Sequence, residues 1–216
     1  MPLRTECPRC PTPLAALTPA DGAHPAICPE HGPTDVLRRP DVASYDDFVE
    51  MLTTAEVFPT YLPWPMSPGW SVSDFAVVGG AGTDAKATMT CSTGTSALDG
   101  PVDVLVVTEE SGTGLGARCA GTAHLDPGPE IGVGPPMVRV RIGSQSVPLW
   151  SVSTASAERE LDRSVVAGEA QGRWLWLVLR PASAMLLLRD EWLLRDVSGI
   201  GPPLVEMPFG GPAPTW

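Results

Sequence analysis

The sequence predicts an α+β fold: a short N-terminal module followed by a mainly antiparallel β-sheet domain with two or three helices. Three observations lead there. Strand-length apolar runs recur between Trp70 and Val197, separated by turns rich in glycine and proline. Only one segment, after Ser44, combines a capping residue with apolar residues at helical spacing. Two cysteine-bearing turns lie within the first 31 residues, a length that cannot bury a sufficient core by itself. The abundance of glycine (22) and proline (25) in 216 residues also favours many short strands over long helices.

Four segments follow from these signals. Residues 1–40 form a zinc-ribbon-like module. Residues 41–70 hold a capped helix and a Pro/Trp-rich extended segment. Residues 71–200 are the β-rich α+β domain, and residues 201–216 are a Pro/Gly-rich tail expected to be loose. The helix is expected over 45–56, with Ser44 as cap and Phe48, Met51 and Leu52 on its inner face. Four prolines exclude regular structure over 58–70.

Strands are expected over 72–78, 85–91, 102–108, 137–142, 147–152, 165–170 and 173–180. Val138, Val140 and Ile142 alternate with Arg139 and Arg141, as a half-buried strand requires. A short polar helix is expected over 155–163, and a strand over 184–189 after a turn at 181–183. Residues 192–197 suit a last strand or a helical turn. The apolar run Trp174–Leu179 fits either a strand or a buried helix by periodicity alone.

Cys7-Pro-Arg-Cys10 and Cys28-Pro-Glu-His31 are two C-x-x-C/H turns with seventeen residues between them. Each turn supplies two ligands, and two turns complete a tetrahedron. Thiolate and imidazole donors select Zn²⁺ over harder cations. Gly32 follows His31, where a positive φ is often needed. The expected site is therefore a closed structural zinc centre on Cys7, Cys10, Cys28 and His31, with His24 as a spare ligand. Cys91 and Cys119 are expected to be buried and inert.

Gly112, Gly114 and Gly116 follow the strand over 102–108, where backbone N–H groups can cradle a phosphate. The spacing matches neither a dinucleotide fingerprint nor a P-loop. With Arg118 and Glu169 this loop is a candidate ligand site, for a phosphate- or acyl-bearing substrate. A plain turn is the competing reading. Glu169 in a buried strand would need a partner, such as Arg118 or Arg139. Adjacent Glu109 and Glu110 point to opposite faces of a strand and make a poor catalytic pair. Six of the seven tryptophans (Trp64, Trp70, Trp150, Trp174, Trp176, Trp192) suit core packing or, on an exposed face, a partner platform.

The net charge is −11, and residues 1–40 carry four charges of each sign, so the whole acidic excess lies in 41–216. An acidic surface repels phosphate backbones and anionic lipids, which argues against nucleic-acid binding. No apolar run reaches the eighteen residues of a membrane span. The start, Met1 to Cys7, lacks the apolar run of a signal peptide, so the cytoplasm is the expected location.

Across nearly its whole length the chain resembles a group of uncharacterised actinobacterial proteins classed as a domain of unknown function. The phrases that carry the likeness are Cys7-Pro-Arg-Cys10 with Cys28…His31-Gly32, Leu62-Pro63-Trp64-Pro65, Pro68-Gly69-Trp70, Gly114-Leu115-Gly116-Ala117-Arg118, Ala167-Gly168-Glu169-Ala170 and Trp174-Leu175-Trp176. The group has tyrosine where this chain has Cys119. The resemblance implies the layout and no activity. The expectation is a zinc-stabilised interaction or regulatory protein without catalytic machinery, meeting a protein partner through the ribbon or a Trp-rich surface. The alternative is a small-ligand binder or enzyme centred on the Gly112–Gly121 loop.

Overall fold

In the computed structural model the described residues are 3–15, 26–79, 83–155, 162–190, 192–199 and 206–216. His24 and most of the helix expected over 155–163 lie outside them.

The described strands are β1 (Arg4–Glu6), β2 (Ala26–Cys28), β3 (Gly32–Thr34), β4 (Leu37–Arg39), β5 (Tyr61–Pro63), β6 (Ser71–Gly79) and β7 (Ala85–Ser96). They continue with β8 (Gly100–Glu109), β9 (Val138–Ile142), β10 (Gln145–Ser151), β11 (Ser164–Ala170), β12 (Arg173–Arg180) and β13 (Leu193–Asp196). Helix α1 spans Tyr45–Ala55, helix α2 spans Leu115–Ala120, and a 3-10 segment spans Ala182–Asp190. Eleven strands form one sheet in the order β1-β4-β6-β7-β8-β12-β11-β10-β9-β13-β5, and β2-β3 is a separate hairpin. The pairings are antiparallel except β13 with β9.

Alternation on the central strand β12 explains its apolar run. Leu175, Leu177 and Leu179 enter one core cluster, and Trp174, Trp176 and Val178 the opposite one. Both faces are covered, so every position is apolar, and the backbone is strand. The sheet also folds over itself. The hydroxyls of Thr88 and Thr90 on β7 donate to the carbonyls of Pro59 and Tyr61, beside and within the last strand of the order, at 2.6 Å each.

Helix α1 starts where expected. The Ser44 hydroxyl accepts from the Asp47 N–H at 3.2 Å, and Phe48, Met51, Leu52 and Ala55 are buried against β6 residues such as Phe75. Within 58–70, expected to be irregular, Tyr61–Pro63 pairs with β13. A three-residue strand at the end of a sheet tolerates Pro63 because one side needs no donor.

The strand expected over 184–189 is replaced by the 3-10 segment. The Ala184 N–H donates to the Pro181 carbonyl at 3.0 Å, and Ala184 and Leu188 turn to the same core. The described part of the tail, 206–216, is packed rather than loose. Phe209 bridges to Val72, and Trp216 docks on polar groups beside the N-terminal module.

Candidate metal centre and its surroundings

Strands β1 and β4 pair with each other, and β4 pairs with β6 through Leu37↔Val78 and Arg38↔Val77. The N-terminal turns therefore hang from the main sheet. Cys7 follows β1, and Cys28 ends β2 of the small hairpin. His31 precedes Gly32, whose φ is +70° as its position after the second turn requires.

These turns bring Cys7, Cys10, Cys28 and His31 together, with one ligand atom from each within 4.8 Å of all the others. Cys7 Sγ lies 3.7 Å from His31 Nδ1, Cys28 Sγ 3.5 Å from the same nitrogen, and Cys10 Sγ 3.7 Å from Cys28 Sγ. Metal–sulfur bonds of about 2.3 Å and metal–nitrogen bonds of about 2.0–2.1 Å at tetrahedral angles separate sulfurs by roughly 3.8 Å and sulfur from nitrogen by roughly 3.5 Å. The four donors thus have the spacing of a shell around one cation. All three cysteines are buried, and His31 is partly so. Burial pushes the Cys7 thiol up to about 11. At Cys28 burial acts in the same direction, but hydrogen bonds from the His31 ring and from the Glu30 and His31 backbone outweigh it and bring the thiol down to about 6. A bound cation would have to displace the proton held by Cys7.

Arg118 on α2 braces the first turn. Its Nη1 donates to the carbonyls of Cys7 (2.7 Å) and Cys10 (3.0 Å), and its Nη2 donates to Glu6 Oε2 at 2.6 Å. Arg9 reaches the other way, donating to the Gly112 carbonyl at 2.9 Å. Trp216 completes the brace. Its ring centroid lies 4.5 Å from the Arg118 guanidinium and 4.1 Å from that of Arg39. Its Nε1 donates to Asp74 Oδ2 at 2.8 Å, and Arg39 grips the same carboxylate through Nε at 3.0 Å. Trp216 was not among the residues singled out from sequence. Neighbouring residues carry no periodic pattern that would mark it.

Residues 1–216 match the model of one family, described as a family of unknown function, DUF6758. The chain belongs to the DUF6758 family. No curated protein and no solved structure matches it.

In this DUF6758 member the glycine loop opens into helix α2. The Leu115 and Gly116 N–H groups donate to Glu109 Oε2 at 2.8 and 3.1 Å, and the Gly112 N–H donates to Asp126 Oδ1 at 2.9 Å. The Gly112 and Gly116 N–H groups, two of the three glycine donors considered for a phosphate, thus already hold carboxylates of the chain itself. Trp176 Nε1 donates to Glu109 Oε1 at 2.7 Å. Glu109 is fully buried, and its burial raises it to about 7 against the pull of these three donors. Gly114 has a φ of +85°, and a Cβ at Gly116 would strike the Trp176 indole. Both glycines have a conformational or packing reason to be there.

Glu169 is exposed on β11, paired in register with Trp174, and makes no ion pair among the described residues. Arg118 pairs with Glu6 instead. Cys91 and Cys119 are fully buried, and burial raises both thiols, Cys119 to about 12. Such thiols make no nucleophile at neutral pH. Trp176 is wholly buried and Trp70 nearly so, while Trp64, Trp150, Trp174 and Trp192 are half-buried. No helix among the described residues is long and apolar enough to cross a membrane.

Proposed function

We propose that this DUF6758 chain is a zinc-stabilised, non-enzymatic interaction or regulatory protein of an actinobacterial cytoplasm. The observation that carries the reading is the tetrahedral spacing of Cys7, Cys10, Cys28 and His31, four donors that leave no position for a substrate. Three thiolates and an imidazole favour zinc over calcium, magnesium or manganese. A free Cys-x-x-Cys pair suits a reducing compartment.

The ribbon, rather than the Trp-rich strands, is the better partner surface. Ile27 on the β2–β3 hairpin is 74% exposed, whereas Trp70 and Trp176 are buried and Trp64, Trp150, Trp174 and Trp192 are half-buried. A projecting aliphatic side chain on a metal-stiffened hairpin loses little conformational freedom when a protein partner covers it.

Metal analysis of purified protein tests the zinc. One equivalent is expected in wild type and none in Cys7→Ser/Cys28→Ser; a different metal, or none in wild type, would overturn the assignment. For the surface, a partner crosslinked in cells should be lost from Ile27→Glu while that variant keeps its zinc. Retention of the partner by Ile27→Glu would remove the hairpin from the interface.

A further inference from the structure

A cleft of about 570 Å³ opens between the first cysteine turn, α2 and the C-terminal residues. Arg9, Arg118, Arg163 and Arg180 line it together with His31 and Trp216, and no acidic residue is among its described lining. The chain carries an acidic excess of eleven charges and has thirteen arginines, four of which converge here.

Two of the four carry their own counter-ions. Arg118 has Glu6 at 2.6 Å, and Arg163 has Asp162 at 2.7 Å. The other two have no carboxylate at ion-pair distance among the described residues. Arg9 donates to the carbonyls of Gly112 and Thr113, and Arg180 to that of Thr215. The Nε atoms of Arg118 and Arg180 are buried without a hydrogen-bond partner, and the Arg118 side chain is only 5% exposed. Burial, followed by the like charge of Arg163, lowers the Arg180 guanidinium from its ordinary value, and Asp162 and Asp103 act in the opposite direction. Like charges gathered along one concavity form an environment that an anion entering the cleft would relieve.

We propose that this cleft binds a small organic dianion, its charged end between Arg9 and Arg180 and its body against the Trp216 indole. Arg9 and Arg180, the two with no carboxylate at ion-pair distance among the described residues, set the charge. Guanidinium forks suit the paired oxygens of a phosphomonoester or a dicarboxylate. The volume falls within the roughly 300–1,000 Å³ of small-molecule sites. The Gly112, Leu115 and Gly116 N–H groups take no part, since they already face Asp126 and Glu109. This site is additional to the interaction role and does not depend on which metal the ribbon holds.

Calorimetric titration with inorganic phosphate and with succinate, each against chloride at matched ionic strength, tests the proposal. Wild type should bind at least one of them, and Arg9→Gln/Arg180→Gln should weaken that binding tenfold or more with an unchanged circular dichroism spectrum. Binding of phosphate alone assigns a phosphorylated ligand, and binding of succinate alone a dicarboxylate. No binding of either by wild type overturns the site, as does undiminished affinity in the double variant. Should the double variant unfold, Arg180→Lys keeps the charge and loses the fork; weakened binding then upholds the site and unchanged binding overturns it. Metal content measured on the same samples keeps a failure of the zinc assignment distinct from a failure of the anion site.

Discussion

The Arg118 guanidinium lies 4.5 Å from the centroid of the Trp216 ring while its Nη1 donates to the carbonyls of Cys7 and Cys10, both cysteines of the first turn. One side chain therefore joins the Cys/His cluster, helix α2 and the C-terminal residues. Losing any of the three should be felt by the other two.

Chelation should release Trp216. Removing the cation frees the Cys7–Cys10 turn, and with it the carbonyls that hold Arg118 in place. Dialysis against a strong chelator should shift tryptophan emission to the red in wild type. The shift should be smaller in Trp216→Phe, and an identical shift in both proteins would show that the C-terminal residue does not sense the metal.

Arg39 and Asp74 form a buried pair, with side chains 6% and 1% exposed. Removing one partner leaves an uncompensated buried charge, a loss of about 3–5 kcal/mol. Arg39→Met and Asp74→Asn should each lower the urea midpoint strongly. The double variant should lose less than the sum of the two, because neither charge is then stranded.

Glu109 links three N–H donors, and Gln cannot replace it cleanly. With the amide oxygen turned to Leu115 and Gly116, its NH₂ would face the Trp176 Nε1–H, donor against donor. Glu109→Gln should cost about 1–3 kcal/mol. Adding Trp176→Phe to it should cost less than Trp176→Phe costs in wild type, which a double-mutant cycle measures.

The same carboxyl predicts a pH dependence. Its value rises from an ordinary 4.5 to about 7 in the folded protein, chiefly through burial. The folded state thus holds a proton that the unfolded state releases. The stability this contributes is complete below about pH 4.5 and is lost as pH climbs through 7. Urea midpoints at pH 5 and pH 8 should fall further in wild type than in Glu109→Gln. Equal falls would show that the group does not titrate in this window.

Gly116→Ala should destabilise by about 1–3 kcal/mol through overpacking against Trp176, and thermal melting of the variant reads this directly.

Local chemistry was readable before the fold was known, and long-range pairing was not. Ser44 and the apolar positions after it define α1 because capping and helical spacing act within a few residues. The Cys7, Cys10, Cys28 and His31 cluster is legible because two short turns carry it. The alternation of Val138, Val140 and Ile142 marks β9 for the same reason. Helix α2 was missed because its start is secured by Glu109, several residues upstream, rather than by a capping side chain at Gly114. The 3-10 segment reads as a strand because its leucines fit either period. The role of Trp216 depends on Arg39, Asp74 and Arg118, all distant in the chain. Arg180 and Arg9 gain meaning only when the sheet and the C-terminal residues bring them to one cleft.

The pairing of β4 with β6 has a practical result for anyone shortening the protein. Cutting away the first forty residues would bare the Val77–Val78 end of β6, where β4 pairs in the intact chain. Unpaired amides on such a border recruit other chains, so the trimmed product should self-associate. Strand β4 thereby acts as a hem that keeps the sheet from fraying into its neighbours.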